Sequence, residues 1–242
     1  MKFNGRWIIS LNGRTDWRLF RMLLDTLLGL LPELNKAFFE TIYMVAISLF
    51  VAIIVGLPLG VLLFVTDRGL FLEHAILKSV LGFLVNMVRS IPFIILLVGL
   101  LPLTKLLTGT TIGPTAASVS LSVAAIPFFA RIVETSLREI EKDVIEAAVA
   151  VGATPWMIIK DVLLPEARPG IVQGITITTI SLVGYSAMAG IVGGGGVGDL
   201  AIRFGYYRYD NTVMITTIVI LICLVQVIQF AGDRIARLVD KR

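Results

Sequence analysis

Long stretches without a single charged residue recur along this chain. Four of them run for 22 to 30 residues: Thr41–Thr66, Leu106–Ala130, Pro169–Gly198 and Asn211–Gly232. A helix needs about 20 mostly apolar residues to cross the hydrocarbon core of a bilayer, so each stretch is long enough to span it. A fifth stretch, 79–104, contains only Arg89, which can reach the interface if its helix begins near Asn86. These runs predict an all-α, polytopic membrane protein with five transmembrane helices.

The composition agrees with a lipid environment for most of the chain. Hydrophobic residues make up 57% and charged residues 16%, whereas a soluble domain has about 45–50% and roughly 25%. This excludes an ordinary soluble enzyme, a disordered chain and a nucleic-acid-binding domain. Cys223 is the only cysteine and lies inside an apolar run, which excludes a disulfide scaffold. One cysteine and one histidine also cannot provide a metal site of the usual kind.

The sequence divides into three regions. Residues 1–37 form a basic leader, 38–235 a transmembrane domain and 236–242 a tail. The predicted spans are 41–66, 79–104, 112–133, 169–193 and 211–232, with a polar connecting loop over 138–168. In the leader, Arg14, Arg18 and Arg21 favour an interfacial helix with its arginines at the headgroups; re-entry of 19–31 into the membrane is the alternative.

The distribution of Lys and Arg orients the domain. With five spans, the two sets of connecting segments carry three and twelve basic residues when the leader is left out. The positive-inside rule then predicts a cytoplasmic position for the 138–168 loop and the tail. The basic leader is the exception, because the same topology places it outside.

The 138–168 loop carries two helix-start signals. Asp143 and Glu146 have the spacing of a capping box, which predicts a helix ending near Gly152. Thr154 before Pro155 predicts a second short helix, which is expected to stop before Pro165. A short amphipathic helix on proline-bounded arms is suited to docking into a groove of a partner. Packing on the chain's own helices is the alternative.

A known motif matches this loop. Glu146-Ala147-Ala148, Gly152 and Val162-Leu163-Leu164-Pro165 have the residues and spacing of the EAA loop of ATP-binding-cassette (ABC) importer permeases, with Val162 in place of isoleucine as the one departure. In that family the loop is a coupling helix that sits in a cleft of a separate ATPase subunit. The resemblance implies ATPase-coupling roles for Glu146, Ala147, Ala148, Gly152 and Pro165, with Glu146 either capping the helix or pairing with a basic group of the ATPase.

Further segments resemble one branch of that family, the methionine importer permeases. They are 89–97, 152–155, 162–167, 182–188 and 229–235. The resemblance implies a type I ABC importer permease fold in the bacterial inner membrane. It also implies a second copy of the chain, two cytoplasmic ABC ATPase subunits that bind ATP-Mg, and an external methionine-binding lipoprotein. No cofactor, metal, catalytic residue or nucleic acid is expected for this chain itself.

The fourth predicted span is the most polar. At 100° per residue, one side of its helix carries Thr178, Ser181, Tyr185 and Met188. Hydroxyls and a thioether suit the weak, reversible contacts that a moving amino acid requires, so these four residues are candidates for the translocation path. The alternative is that the hydroxyls bond to carbonyls of the preceding turn. A different side carries Ser186, Gly190 and Gly194, whose small size favours helix contact.

Three other interpretations stand beside transport of methionine: a nucleotide site, an intramembrane hydrolase and a permease for another amino acid. Gly193–Gly198 matches G-x-G-x-x-G, but it follows an apolar helix rather than a strand, so it predicts an outer hinge or gate and not a nucleotide site. An intramembrane hydrolase with Ser186 as nucleophile lacks the second glycine of the elbow, and His74 falls on the opposite side of the membrane. A permease for another amino acid is the closer alternative.

Overall fold

The protein is described by a computed structural model, which covers the backbone of residues 13–240 and the side chains of 29–240. Over 13–240 the chain is helical and contains no strand. The α-helices are α1 Gly13–Val65, α2 Ala75–Ser90, α3 Phe93–Gly99, α4 Leu101–Thr108, α5 Pro114–Arg138, α6 Lys142–Ala150, α7 Pro155–Met157, α8 Leu164–Glu166, α9 Arg168–Ala189, α10 Gly196–Leu200 and α11 Asn211–Val239. Two π-helical turns cover Ile158–Leu163 and Ala201–Tyr206, and a 3-10 turn covers Gly190–Val192.

The first helix is longer than the sequence predicted. Instead of an interfacial helix and a separate span beginning at residue 41, α1 is continuous from Gly13 to Val65. Its apolar part, Gly29–Val65, is 37 residues long. Pro32 is the strongest helix-breaking residue near the expected boundary, and α1 continues through it. The predicted contact of Arg14, Arg18 and Arg21 with headgroups concerns side chains outside the described ones, and residues 1–12 and 241–242 lie outside the described backbone.

The second predicted span is not a single helix. The chain bends by 101° between α2 and α3. Ile91, which precedes Pro92, adopts an extended conformation with φ −84° and ψ 124°, because the proline ring disfavours helical backbone in the residue before it. Pro92 then caps the start of α3. The described residues therefore hold four helices of spanning length, or five spans when the bent pair counts as one.

The two helices α1 and α5 form the centre of the bundle and approach each other closely. A Cβ atom on Gly60 would lie 2.5 Å from the carbonyl oxygen of Ala130 and 2.7 Å from Cβ of Val133, so only glycine fits. Gly56 and Gly60 form a small-xxx-small pair of the kind that lets membrane helices touch backbone to backbone. Phe129 and Leu121 of α5 are fully buried in the core around this contact.

The glycine-rich segment before α10 is fixed against α1. The N–H of Gly196 donates to Oε2 of Glu40 at 2.8 Å, and the N–H of Val197 donates to Oγ1 of Thr41 at 2.9 Å. A Cβ on Gly196 would lie 2.7 Å from Oγ1 of Thr41. The glycines thus serve a tight junction between α9, α10 and α1 in this conformation, and the outer hinge or gate stays a prediction.

Candidate functional site: the coupling segment and α9

The segment between α5 and α9 begins with a helix whose cap differs from the prediction. α6 starts at Lys142, and its N-cap is Glu141, whose side chain makes no capping hydrogen bond. The predicted N-cap, Asp143, lies inside the first turn, where a negative charge interacts favourably with the helix N-terminus. Glu146 is therefore not part of a capping box. Its side chain is exposed and has no hydrogen-bond partner among the described residues.

Gly152 ends α6 in the conformation that only glycine adopts easily. Its φ is 80°, in the left-handed region where a Cβ would clash with the backbone. The N–H of Ala153 donates to the carbonyl of Ala148 at 3.1 Å, and the N–H of Gly152 donates to that of Val149 at 3.0 Å. This pair of bonds is a Schellman motif, and it turns the chain sharply after α6.

The second helical stretch starts as predicted and ends later. Oγ1 of Thr154 accepts a hydrogen bond from the N–H of Met157 at 3.4 Å. Thr154 is therefore the N-cap, and Pro155 is the first helical residue. The predicted stop before Pro165 is wrong, because the helix continues through Pro165 to Glu166. A π-helical turn over Ile158–Leu163 precedes the proline. A π-turn is wider than an α-turn, so it gives room to a ring that would otherwise clash with a carbonyl one turn back.

The outer face of this segment is apolar with an acidic rim. We call it the coupling surface. Ile145 is buried on the inner side of α6, whereas Glu146 and Ala147 are exposed and Ala148 is half-buried. Trp156 is 69% exposed and Val151 84% exposed. The other large apolar side chains exposed here are Val144, Val149 and Met157.

Acidic side chains outnumber basic ones on this surface. Over 139–167 six exposed carboxylates stand against two exposed lysines, with the exposed Arg138 and Arg168 at the two ends of this range: Glu139, Glu141, Asp143, Glu146, Asp161 and Glu166 against Lys142 and Lys160. A large exposed aromatic side chain such as Trp156 suits a protein interface, where tryptophan is a frequent anchor. Trp156 belongs to none of the predicted sites, although its position directly after Thr154-Pro155 at the start of a helix is a signal that could have marked it.

Three of the four predicted path residues of α9 are at least partly exposed. Ser181 and Tyr185 are half-buried, and Met188 is 46% exposed. Thr178 differs: it is 1% exposed, and its hydroxyl donates to the carbonyl of Gly174 at 2.7 Å. This is the alternative in which the hydroxyl bonds to a carbonyl of the preceding turn. In this conformation the Thr178 hydroxyl therefore does not face a solute.

Tyr185 stacks on an aromatic side chain that lies far from it in the sequence. Its ring lies on the ring of Phe93, with centroids 4.5 Å apart and planes at 13°. Phe93 is the first residue of α3 after the bend at Pro92. The stacked rings thus join the bent second span to the helix that carries the predicted path.

The other face of α9 is a packing face. A Cβ on Gly198 of α10 would lie 2.3 Å from Cα of Ala187, so α9 and α10 touch through backbone atoms. Ser186 is buried, and its hydroxyl donates to the carbonyl of Val183 at 2.8 Å. His74 caps α2, with Nδ1 accepting the N–H of Leu77 at 3.1 Å. Since the Ser186 hydroxyl and the His74 ring each make a hydrogen bond within their own helix end, the geometry does not favour a hydrolase with Ser186 as nucleophile.

The apolar helices of spanning length among the described residues define the class: a multi-pass membrane protein. The model of the family described as binding-protein-dependent transport system inner membrane component matches residues 52–242. The chain belongs to this family, so it is the inner-membrane permease component of an ABC transporter, as the EAA loop predicted.

Named relatives cover most of the chain. It is 53% identical over 209 residues to a probable D-methionine transport system permease protein of Vibrio cholerae, covering 86% of this chain and 93% of the relative. It is 45% identical over 212 residues to a methionine import system permease protein of Bacillus subtilis, covering 88% and 96%.

Solved structures agree with the fold. A chain in an inward-facing structure of a methionine ABC transporter aligns with a TM-score of 0.87 at 50% identity, covering 88% of this chain and 99% of that one. A chain of an amino acid ABC transporter aligns with a TM-score of 0.67 at 17% identity, covering 88% and 95%, which shows the fold alone. The predicted all-α, type I importer permease fold is confirmed.

Proposed function

We propose that this chain is the methionine-translocating permease of an ATP-driven importer. Two copies would form the path, two cytoplasmic ABC ATPase subunits would bind ATP-Mg, and an external methionine-binding lipoprotein would deliver the solute. The observation that carries the proposal is the coupling surface, which leaves Glu146 unpaired within the described residues and Trp156 exposed. The names of the relatives support methionine as the solute.

The coupling surface fits a groove with an apolar floor and a basic rim. Exposed valines and Trp156 would fill the floor, and the surrounding carboxylates would face basic side chains of the ATPase. Glu146 is the best placed of these carboxylates, because the small Ala147 beside it allows close approach. The Schellman turn at Gly152 and the proline at 165 would keep the segment stiff enough to transmit movement.

The solute path is proposed along the polar side of α9. The Ser181 hydroxyl could exchange hydrogen bonds with the ammonium and carboxylate of methionine, while Tyr185 and Met188 offer apolar contact to its thioether. No charged side chain of α9 between Ile171 and Ala189 would trap the zwitterion.

Reconstitution tests the proposal. The permease, its ATPase and the binding protein are purified separately and combined in proteoliposomes, and uptake of radiolabelled methionine is measured with and without each component. We expect uptake only with all three components and with ATP on the ATPase side. Competition by a panel of other unlabelled amino acids tests the alternative solute. Stronger inhibition by another unlabelled amino acid than by unlabelled methionine would replace methionine as the preferred substrate, and ATP hydrolysis by the permease alone would refute the division of roles.

A further inference from the structure

Five charged side chains meet at the end of α5 that leads into the coupling segment. We call them the charge cluster: Asp67, Lys78, Arg131, Glu134 and Arg138. Glu134 is only 1% exposed. Its two oxygens bind Lys78 Nζ at 2.6 Å, Arg131 NH1 at 2.6 Å and Arg138 NH2 at 3.0 Å. A buried carboxylate is costly unless it is paired and hydrogen-bonded, and three cations surround this one.

The charge cluster joins three parts of the fold. Lys78 belongs to α2, and its Nζ also donates to the carbonyl of Leu63 near the end of α1 at 2.6 Å. Arg131 NH2 donates to Oδ1 of Asn86, also on α2, at 2.6 Å. Asp67 accepts a hydrogen bond from Arg138 and lies 3.5 Å from Lys78 Nζ. The ends of α1, α2 and α5 are thus held together by charge-assisted bonds, which are stronger than neutral ones.

Asp67 lies in the loop 66–74, whose other side faces the coupling segment. Leu70 and Phe71 of the loop, together with Ile145, Glu146, Val149 and Ala150 of α6, line a notch of about 360 Å³. The loop is closed by a bond from the N–H of His74 to the carbonyl of Thr66 at 3.1 Å, and the N–H of Gly69 donates to Oε2 of Glu73 at 2.9 Å. Leu70 and Phe71 also pack against the hydrophobic cluster that contains Ile145 of α6. One short, internally bonded loop therefore carries Asp67 of the charge cluster and shares an apolar cluster with α6.

The covalent connection from α5 to α6 is only three residues, 139–141. It does not by itself fix the direction of α6, which also packs through Ile145 on the π-helical turn Ile158–Leu163. The loop 66–74 supplies a further support, and Asp67 is the residue that bonds this loop to α5 through Arg138.

We propose that Asp67 and Arg138 are positioning residues for energy coupling, in addition to the residues of the EAA loop. By holding the loop 66–74 against α6, they make α6 move with the ends of α1, α2 and α5. A displacement imposed on the coupling surface then reaches the membrane helices and is not absorbed by the three-residue connection. This inference rests on the proposed coupling to an ATPase.

The test compares three variants. Asp67→Asn keeps the shape of the side chain and removes its charge, and Asp67→Glu keeps the charge. Arg68→Gln is the matched control, because it removes an exposed charge from the same loop outside the cluster. Each variant is reconstituted with the ATPase and binding protein, and methionine uptake and ATP hydrolysis are measured in the same vesicles. A purely structural defect lowers both activities together, whereas a positioning defect lowers the amount of methionine moved per ATP.

We expect Asp67→Asn to lower that ratio between about twofold and thirtyfold, the range for residues that carry coupling between sites. Arg68→Gln should leave the ratio unchanged, and Asp67→Glu should recover most of it. An unchanged ratio in Asp67→Asn would overturn the proposal.

A second measurement does not depend on methionine. Hydrogen–deuterium exchange of the permease alone should rise over 142–150 in Asp67→Asn and not in Arg68→Gln. If the wild-type complex imports no methionine, the proposed function fails while this measurement still decides the positioning role. Exchange over 142–150 equal to that of the wild type, or raised equally throughout the chain, would refute it.

Discussion

The ring of Phe93 lies flat on the ring of Tyr185, with their centroids 4.5 Å apart. Because Phe93 opens α3 immediately after the bend at Pro92, this stack fixes the direction in which the second half of the bent pair leaves the bend. It also covers one face of the aromatic ring that we place beside the solute path. The stack is therefore both a packing contact and a boundary of the proposed path.

Stacked aromatic pairs stabilise proteins beyond the area they bury, by about 0.5–1.5 kcal/mol. We expect a double-mutant cycle of Phe93→Leu and Tyr185→Leu, followed by denaturant unfolding in detergent, to give a coupling energy of about 1 kcal/mol. Tyr185→Phe keeps the ring and serves as the control. Strictly additive single-mutant effects would show that the stack contributes nothing.

The charge of Glu146 should matter for binding the ATPase and not for folding. Because its side chain is exposed, Glu146→Gln should leave thermal stability and membrane insertion unchanged. Loss of one member of an interfacial charge pair should weaken ATPase binding at least about tenfold, as measured by titration of the ATPase onto permease in nanodiscs. Glu33→Gln removes an exposed carboxylate from α1 and should have no effect. Equal affinity of the Glu146 variant and the wild type would remove Glu146 from the interface.

The left-handed conformation of Gly152 predicts a loss of stability on substitution. The space around its Cβ position is open, so the cost of Gly152→Ala comes from the backbone alone, about 1–2 kcal/mol. Gly82, inside α2, also has open space but helical backbone. Gly82→Ala should therefore raise stability by roughly 0.5–1 kcal/mol. Opposite shifts of the thermal midpoint in detergent would bear this out, and shifts of the same sign would contradict it.

Asp67 should make stability depend on acid pH. Burial raises the pKa of its carboxyl, but the N–H of Arg68, the hydrogen bond from Arg138 and the charge of Lys78 together hold the pKa below its ordinary value of 3.8. A carboxyl with a lower pKa in the folded state stabilises the fold above its unfolded pKa, and this stabilisation is lost as the pH falls through the folded pKa. Thermal midpoints of the wild type and Asp67→Asn should therefore differ by a constant amount above about pH 5 and converge below about pH 3.8.

The control for this experiment is Arg68→Gln, whose difference from the wild type should not follow the same curve. A gap between the wild type and Asp67→Asn that widens on acidification would mean that the pKa of Asp67 is shifted upward and not downward.

Local signals in the sequence were sufficient for several parts of the fold. The uncharged runs located the long helices, and Thr154 before Pro155 located a helix start, because hydropathy and capping depend on neighbouring residues. A local signal also explains why the N-cap of α6 was predicted at the wrong residue. Asp143 has the right spacing for a cap, but Glu141 two residues earlier begins the helix, and local chemistry alone does not decide between two nearby acids. Pro92 itself indicates a break in the helix, but the apolar run around it favoured the prediction of one continuous span.

Contacts between residues far apart in the chain could not be predicted from the sequence. Asp67 and Arg138 are 71 residues apart, and neither belongs to a motif, so their bond appears only when α1, α2 and α5 are assembled. The partnership of Phe93 with Tyr185 has the same origin. In the candidate site, the coupling roles that the motif predicts stay predictions, whereas Trp156 became visible only through its exposure.

The glycine contact between α1 and α5 has a consequence for which sequences this fold accepts. At Gly60 no side chain separates the two backbones, so a Cβ atom there would force α1 and α5 apart. The spacing of the two central helices is thus set by the absence of a single methyl group.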